Sequence, residues 1–169
     1  MKRFIFLVLS IAFLFTGCTM DNKGNFQIYL TDQPISIEDA EHIYVNLSEI
    51  KAQKTEEGFL SLGTEQQQFD LIQLQDKEKI FVDTELEKGT YTQIRLIVES
   101  GEVVMDGETH SMTIPSSEVK IPVVFHVLQG GTTEIVLDFE AKKSIMVVKA
   151  GVTGQYILRP VIKVKNISY

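Results

Sequence analysis

The chain has 169 residues, 44% of them hydrophobic, with 16 basic and 23 acidic side chains and a single cysteine. A net charge of −7 without a basic cluster argues against nucleic-acid binding, since phosphate neutralisation supplies most of that affinity. One cysteine rules out an internal disulfide, and eleven glycines and four prolines without a low-complexity tract argue against a disordered stalk, so an apolar core must hold the fold.

The chain opens with Met1-Lys2-Arg3, a short basic start, followed by an apolar run of 13 residues from Phe4 to Thr16 and then Gly17-Cys18. That order predicts a secretory signal peptide over residues 1–17. The run falls short of the roughly 20 residues a bilayer span takes. Leu14-Phe15-Thr16-Gly17-Cys18 resembles the lipobox of bacterial lipoproteins, with Phe15 where an aliphatic residue is usual. The resemblance implies that Cys18 is lipidated on sulfur and becomes the first residue of the mature chain. It implies at least a diacyl group of the palmitate class, and stable anchoring needs more than one acyl chain. Loss of residues 1–17 leaves 152 residues, one ordinary domain, and moves the net charge to −9. Residues 18–25 read as a short polar tether that keeps the domain, 26–169, close to the membrane.

Beyond the tether the pattern is mostly period two. Phe26, Ile28 and Leu30 alternate with Gln27, Tyr29 and Thr31. Residues 36–54 carry a weak helix-capping signal at Ser36/Asp39, yet Ile43, Val45 and Leu47 alternate with His42, Tyr44 and Asn46, which favours a strand over 42–53. Phe69 to Leu74 reads equally as a helical turn or a short strand. Tyr91 to Val98 places Thr92, Ile94, Leu96 and Val98 on one face. In 102–114, Asp106-Gly107 accepts the positive φ of a type I′ hairpin turn. Pro122–Leu128 and Thr133–Glu140 predict a second hairpin across Gln129-Gly130-Gly131, with Ile135, Leu137 and Phe139 facing inward. Tyr156 to Ile167 predicts a final strand with Pro160 at an edge or bulge. About seven to nine short strands with regular turn signals predict an all-β protein, an antiparallel β-sandwich.

Several segments taken in order carry a family resemblance: Ile28 to Pro34 (IYLTDQP), Phe69 to Ile72 (FDLI), Gly89 to Leu96 (GTYTQIRL), Ile114-Pro115-Ser116, Val136 to Ala141 (VLDFEA) and Tyr156 to Ile162 (YILRPVI). Together they are similar to the DUF4382 family of bacterial and archaeal surface lipoproteins, over about residues 25–167. The resemblance implies a sandwich of immunoglobulin-like or transthyretin-like type and leaves activity open. Gln33 stands where that family has a small residue before proline, a change that carries no functional implication by itself.

Chemistry-bearing motifs are sparse. His42, His110 and His126 lack the spacing of a zinc site. Asp21, Asp32, Asp70, Asp106 and Asp138 sit at strand ends or turns, without a calcium-loop pattern. Gly58 to Gly63 (GFLSLG) lacks the first glycine of a nucleophile elbow. No cofactor, metal site or catalytic residue is expected. Tyr29, Tyr44 and His42 are the candidate ligand-binding residues, since outward tyrosines beside amides and hydroxyls suit a protein partner or a sugar. The expectation is a non-enzymatic, extracytoplasmic binding or structural module, lipid-anchored to the cell membrane or the outer membrane. Cys18 is its lipid attachment, an envelope protein its partner, and a glycan the alternative ligand.

Overall fold

Period-two alternation sets the architecture. The computed structural model describes residues 22–33, 40–148 and 155–169. In β1 (Lys23–Thr31), Phe26, Ile28 and Leu30 are wholly buried, while Gln27 and Tyr29 between them are half-buried. β1 joins β5 (Lys79–Glu87), β9 (Thr132–Phe139) and β12 (Ile162–Ser168) in a four-stranded sheet of order β12-β9-β1-β5. A six-stranded sheet is built on β2 (Ala40–Lys54) and β6 (Gly89–Met105). Beside β2 lie β3 (Gly58–Gly63) and β4 (Gln67–Asp70), and beside β6 lie β7 (Glu108–Ser111) and β8 (Glu118–Val127). A one-turn helix, α1 (Ala141–Ser144), leads to a two-stranded ribbon of β10 (Ile145–Val148) and β11 (Gln155–Leu158).

The inward faces of the two large sheets meet in one core, which makes the protein an all-β sandwich. Phe26 of the smaller sheet stacks on Phe125 of the larger at 5.1 Å, and Phe125 stacks on Tyr91 at 5.0 Å. Residues 40–54 are strand throughout, which settles the ambiguous segment as far as it is described; residues 34–39, with the N-terminal part of the helical alternative, lie outside the described residues. Both readings of 69–74 hold in part. β4 ends at Asp70, and the Asp70 carbonyl then accepts from the Gln73 and Leu74 amides in a helical turn.

The expected type I′ turn is present. Asp106 and Gly107 have φ of 51° and 73° between the paired residues Met105 and Glu108. The second expected hairpin is absent. β8 pairs with β6, whereas β9 pairs with β1 and β12 in the other sheet. The 128–131 loop turns its backbone toward β1, with Gly130 N–H donating to the Lys23 carbonyl at 2.8 Å and Asn25 N–H to the Gly131 carbonyl at 2.9 Å. The chain thus crosses between sheets, and β9 lies parallel to β1, whereas the β1–β5 and β9–β12 pairs of the same sheet are antiparallel.

The final strand divides in two at Pro160. Arg159 N–H donates to the Ser144 carbonyl and Val161 N–H to Ser144 Oγ, so the chain leaves the ribbon at β11 and enters the four-stranded sheet at β12. Conversely, residues 91–98 and 102–105 belong to one strand, the 17-residue β6. It runs straight through Gly101, where a Cβ would stand 2.7 Å from Leu158 Cδ2. At the start of the domain, Lys23 to Asn25, expected in the tether, are already paired in β1.

Candidate functional site

The least conventional chemistry lies where β1 and β9 end side by side. Their parallel register sets Thr31 opposite Asp138, and the antiparallel β12 sets Lys163 opposite the same residue. Asp32, Asp138 and Glu140 are all nearly inaccessible to solvent. Asp32 Oδ1 accepts from the Ala141 amide at 3.3 Å, and Asp138 Oδ2 accepts from Gln33 Nε2 at 2.9 Å. Glu140 Oε1 accepts from Lys143 at 2.6 Å and from Lys163. The second oxygens, Asp32 Oδ2, Asp138 Oδ1 and Glu140 Oε2, are buried and accept no hydrogen bond from the described residues.

Burying a carboxylate without a full set of donors disfavours its charged form. Burial pushes the Asp32 carboxyl up to about 7, opposed by the Ala141 and Gln33 amides and reinforced by the charges of Asp138 and Glu140. Glu140 moves the other way, because its bonds to Lys143 and Lys163 hold it below the usual carboxylate range despite burial. The same bond raises Lys143. The cluster therefore combines a carboxyl that keeps its proton to near neutrality with a neighbour held ionised by two lysines. Among the described residues, no group of three or more His, Cys, Asp or Glu is placed to hold a metal ion. Proton retention is what this cluster can do.

The anticipated ligand-binding residues fall in two places. His42 and Tyr44 are two apart on β2, and their rings stack at 5.3 Å with an interplanar angle of 10°. His42 Nδ1 lies 2.6 Å from Asp70 Oδ2, and Asp70 Oδ1 accepts from the Ile43 and Ile72 amides. Tyr29 is elsewhere. It projects from the outer side of the four-stranded sheet, its hydroxyl donating to Gln27 Oε1 at 3.2 Å, whereas Tyr44 projects from the outer side of the six-stranded sheet. The two sheets face each other across the core, so Tyr29 and Tyr44 do not share a platform.

His110 lies against Tyr156, and His126 against Thr90 and Tyr169; the three histidines have separate surroundings. Ser61 lies in β3, and the next element is the strand β4, not the helix of a nucleophile elbow. Cys18 and Asp21 lie outside the described residues.

A family model described as a domain of unknown function, DUF4382, matches residues 23–160. The chain belongs to the DUF4382 family. No curated protein and no solved structure matches it. The match begins at Lys23, where β1 begins, and stops short of β12. This DUF4382 domain thus carries Asp32, Asp138, Glu140 and Lys143 within the matched segment, and Lys163 just beyond it. Sequence reasoning placed Asp32 and Asp138 at strand ends or turns without bringing them together. It gave Gln33 no role and did not mark Glu140, Lys143 or Lys163, whose contacts depend on how β1, β9 and β12 end together. The signal available was their position in, or just after, the TDQP, LDFEA and LRPVI segments.

Proposed function

We propose that this DUF4382 domain is a lipid-anchored, extracytoplasmic binding module that holds a protein partner in the cell envelope and performs no catalysis. The anchor rests on the basic, apolar and small-residue order of residues 1–18 ending at Cys18. The observation that carries the binding role is the β10–β11 ribbon. Met146, Val147 and Val148 are consecutive and are 44%, 44% and 37% exposed. Neighbouring side chains on a strand point to opposite faces, so both faces of this ribbon present apolar surface to solvent. Contiguous exposed apolar surface on a domain with a well-filled core marks a contact region for another protein.

A photo-cross-linking side chain at Val147, in the full chain expressed in its native host, tests the partner. The expected result is a discrete envelope-protein adduct that disappears when Met146 and Val148 are both changed to Asp. No adduct beyond that given by the same probe at Asp106 would overturn the partner reading. Tyr29 and Tyr44 lie on strands of different sheets, so a protein partner at the ribbon is favoured over a glycan held between the two tyrosines.

A further inference from the structure

The first described residues are fixed to one end of the sandwich. Lys88 N–H donates to the Asn22 carbonyl at 2.8 Å, and Gly130 N–H donates to the Lys23 carbonyl at the same distance. Gly24 lies directly under the 128–131 loop, where a Cβ would meet the Leu128 carbonyl oxygen at 2.2 Å. Chain length then limits the distance to any lipid on Cys18. Four residue steps separate Cys18 from Asn22, a reach of at most about 14 Å when fully extended. The surface within that reach includes the 128–131 loop itself. Leu128 is 55% exposed there, followed by the exposed Gln129 and then by Gly130 and Gly131, which add no side chains to the loop. Lys88 is exposed alongside, and Tyr169, 60% exposed, lies against the neighbouring His126.

We infer that this end of the sandwich lies against the lipid surface that holds Cys18, with Leu128 inserted at the boundary between headgroups and acyl chains. The inference rests on the lipid-anchor reading and deepens it, because the anchor and the exposed leucine together fix an orientation. An apolar side chain at a loop tip adds a second hold beside the acyl chains, and an exposed lysine and tyrosine suit the headgroup layer. The opposite end, with the Asp106-Gly107 turn, lies roughly 50 Å along β6 from Gly89 and would face away from the membrane.

The sequence has no tryptophan, so a single introduced indole reports on its own surroundings. The full-length lipoprotein, purified from membranes as Leu128→Trp or Glu108→Trp, would be reconstituted into phosphatidylcholine–phosphatidylglycerol vesicles with and without brominated acyl chains. Its intact mass and vesicle flotation would be measured on the same samples. Emission from Leu128→Trp is expected to shift to the blue and to lose about twofold or more of its intensity in brominated vesicles, while Glu108→Trp is unchanged. Floating, lipid-bearing protein with neither probe quenched, or both quenched alike, would overturn the orientation and leave the anchor standing. Protein that neither floats nor carries lipid mass would overturn the anchor, and the orientation with it.

Discussion

The carbonyl oxygen of Leu128 lies 2.2 Å from the point that a Cβ on Gly24 would occupy. Because the obstacle is backbone, no rotamer change relieves it. Gly131 O and a Val127 methyl, each at 3.0 Å, close the remaining space. Gly24→Ala should therefore displace either the start of β1 or the sheet-crossing loop. The expected cost is about 1–3 kcal/mol in urea unfolding. An unchanged midpoint would show that the loop is not held against β1.

The Asp32 carboxyl gives the stability curve a definite sign. In the folded protein it keeps its proton up to about 7, against an ordinary value of 3.8. Between those limits the folded state binds more protons than the unfolded chain, so this group makes stability fall as pH rises from about 4 to about 7 and level off above. Asp32→Asn cannot ionise, and its Oδ1 can still accept from the Ala141 amide. Its melting temperature should exceed that of the wild type by a few degrees at pH 8 and approach it near pH 4. A gap that stays constant with pH would refute a buried, protonated Asp32.

The stacked rings Phe26, Phe125 and Tyr91 join the two sheets. Phe125→Ala should destabilise the domain by about 3–5 kcal/mol, since it removes the middle ring and leaves a cavity between sheets. Tyr91→Phe should cost only about 1 kcal/mol, through loss of the hydroxyl bond to the Glu87 carbonyl. Equal effects in chemical unfolding would mean that the ring stack is not what couples the sheets.

The class of fold was legible because alternation is local. Ile43, Val45 and Leu47 announce a half-buried strand whatever lies beside it. Pairing was less legible. Gly130-Gly131 looks like a hairpin turn, and only the hydrogen bonds to Lys23 and Asn25 reveal that it carries the chain to the other sheet. β5 escaped notice because its alternation is broken. Ile28 pairs with Val82 and Tyr29 with Ile80, leaving Phe81 as an extra residue, so Phe81 and Val82 are both buried in succession. The acid cluster was hidden for a related reason. Asp138 falls on the polar side of its strand's alternation, as expected, yet that side is buried where β1, β9 and β12 end together. His42 and Tyr44 were legible as neighbours because they are two apart on one strand. The separation of Tyr29 depended on which sheet each strand joined.

The lipid anchor at Cys18 is the claim on which localisation, orientation and partner class all depend. Intact mass and membrane fractionation of the protein from its native host, wild type beside Cys18→Ala, test it directly. A wild-type chain that starts at Cys18, carries a lipid mass increment and pellets with membranes, with both properties lost in Cys18→Ala, is the predicted result. An unmodified wild-type chain in the soluble fraction would contradict the account.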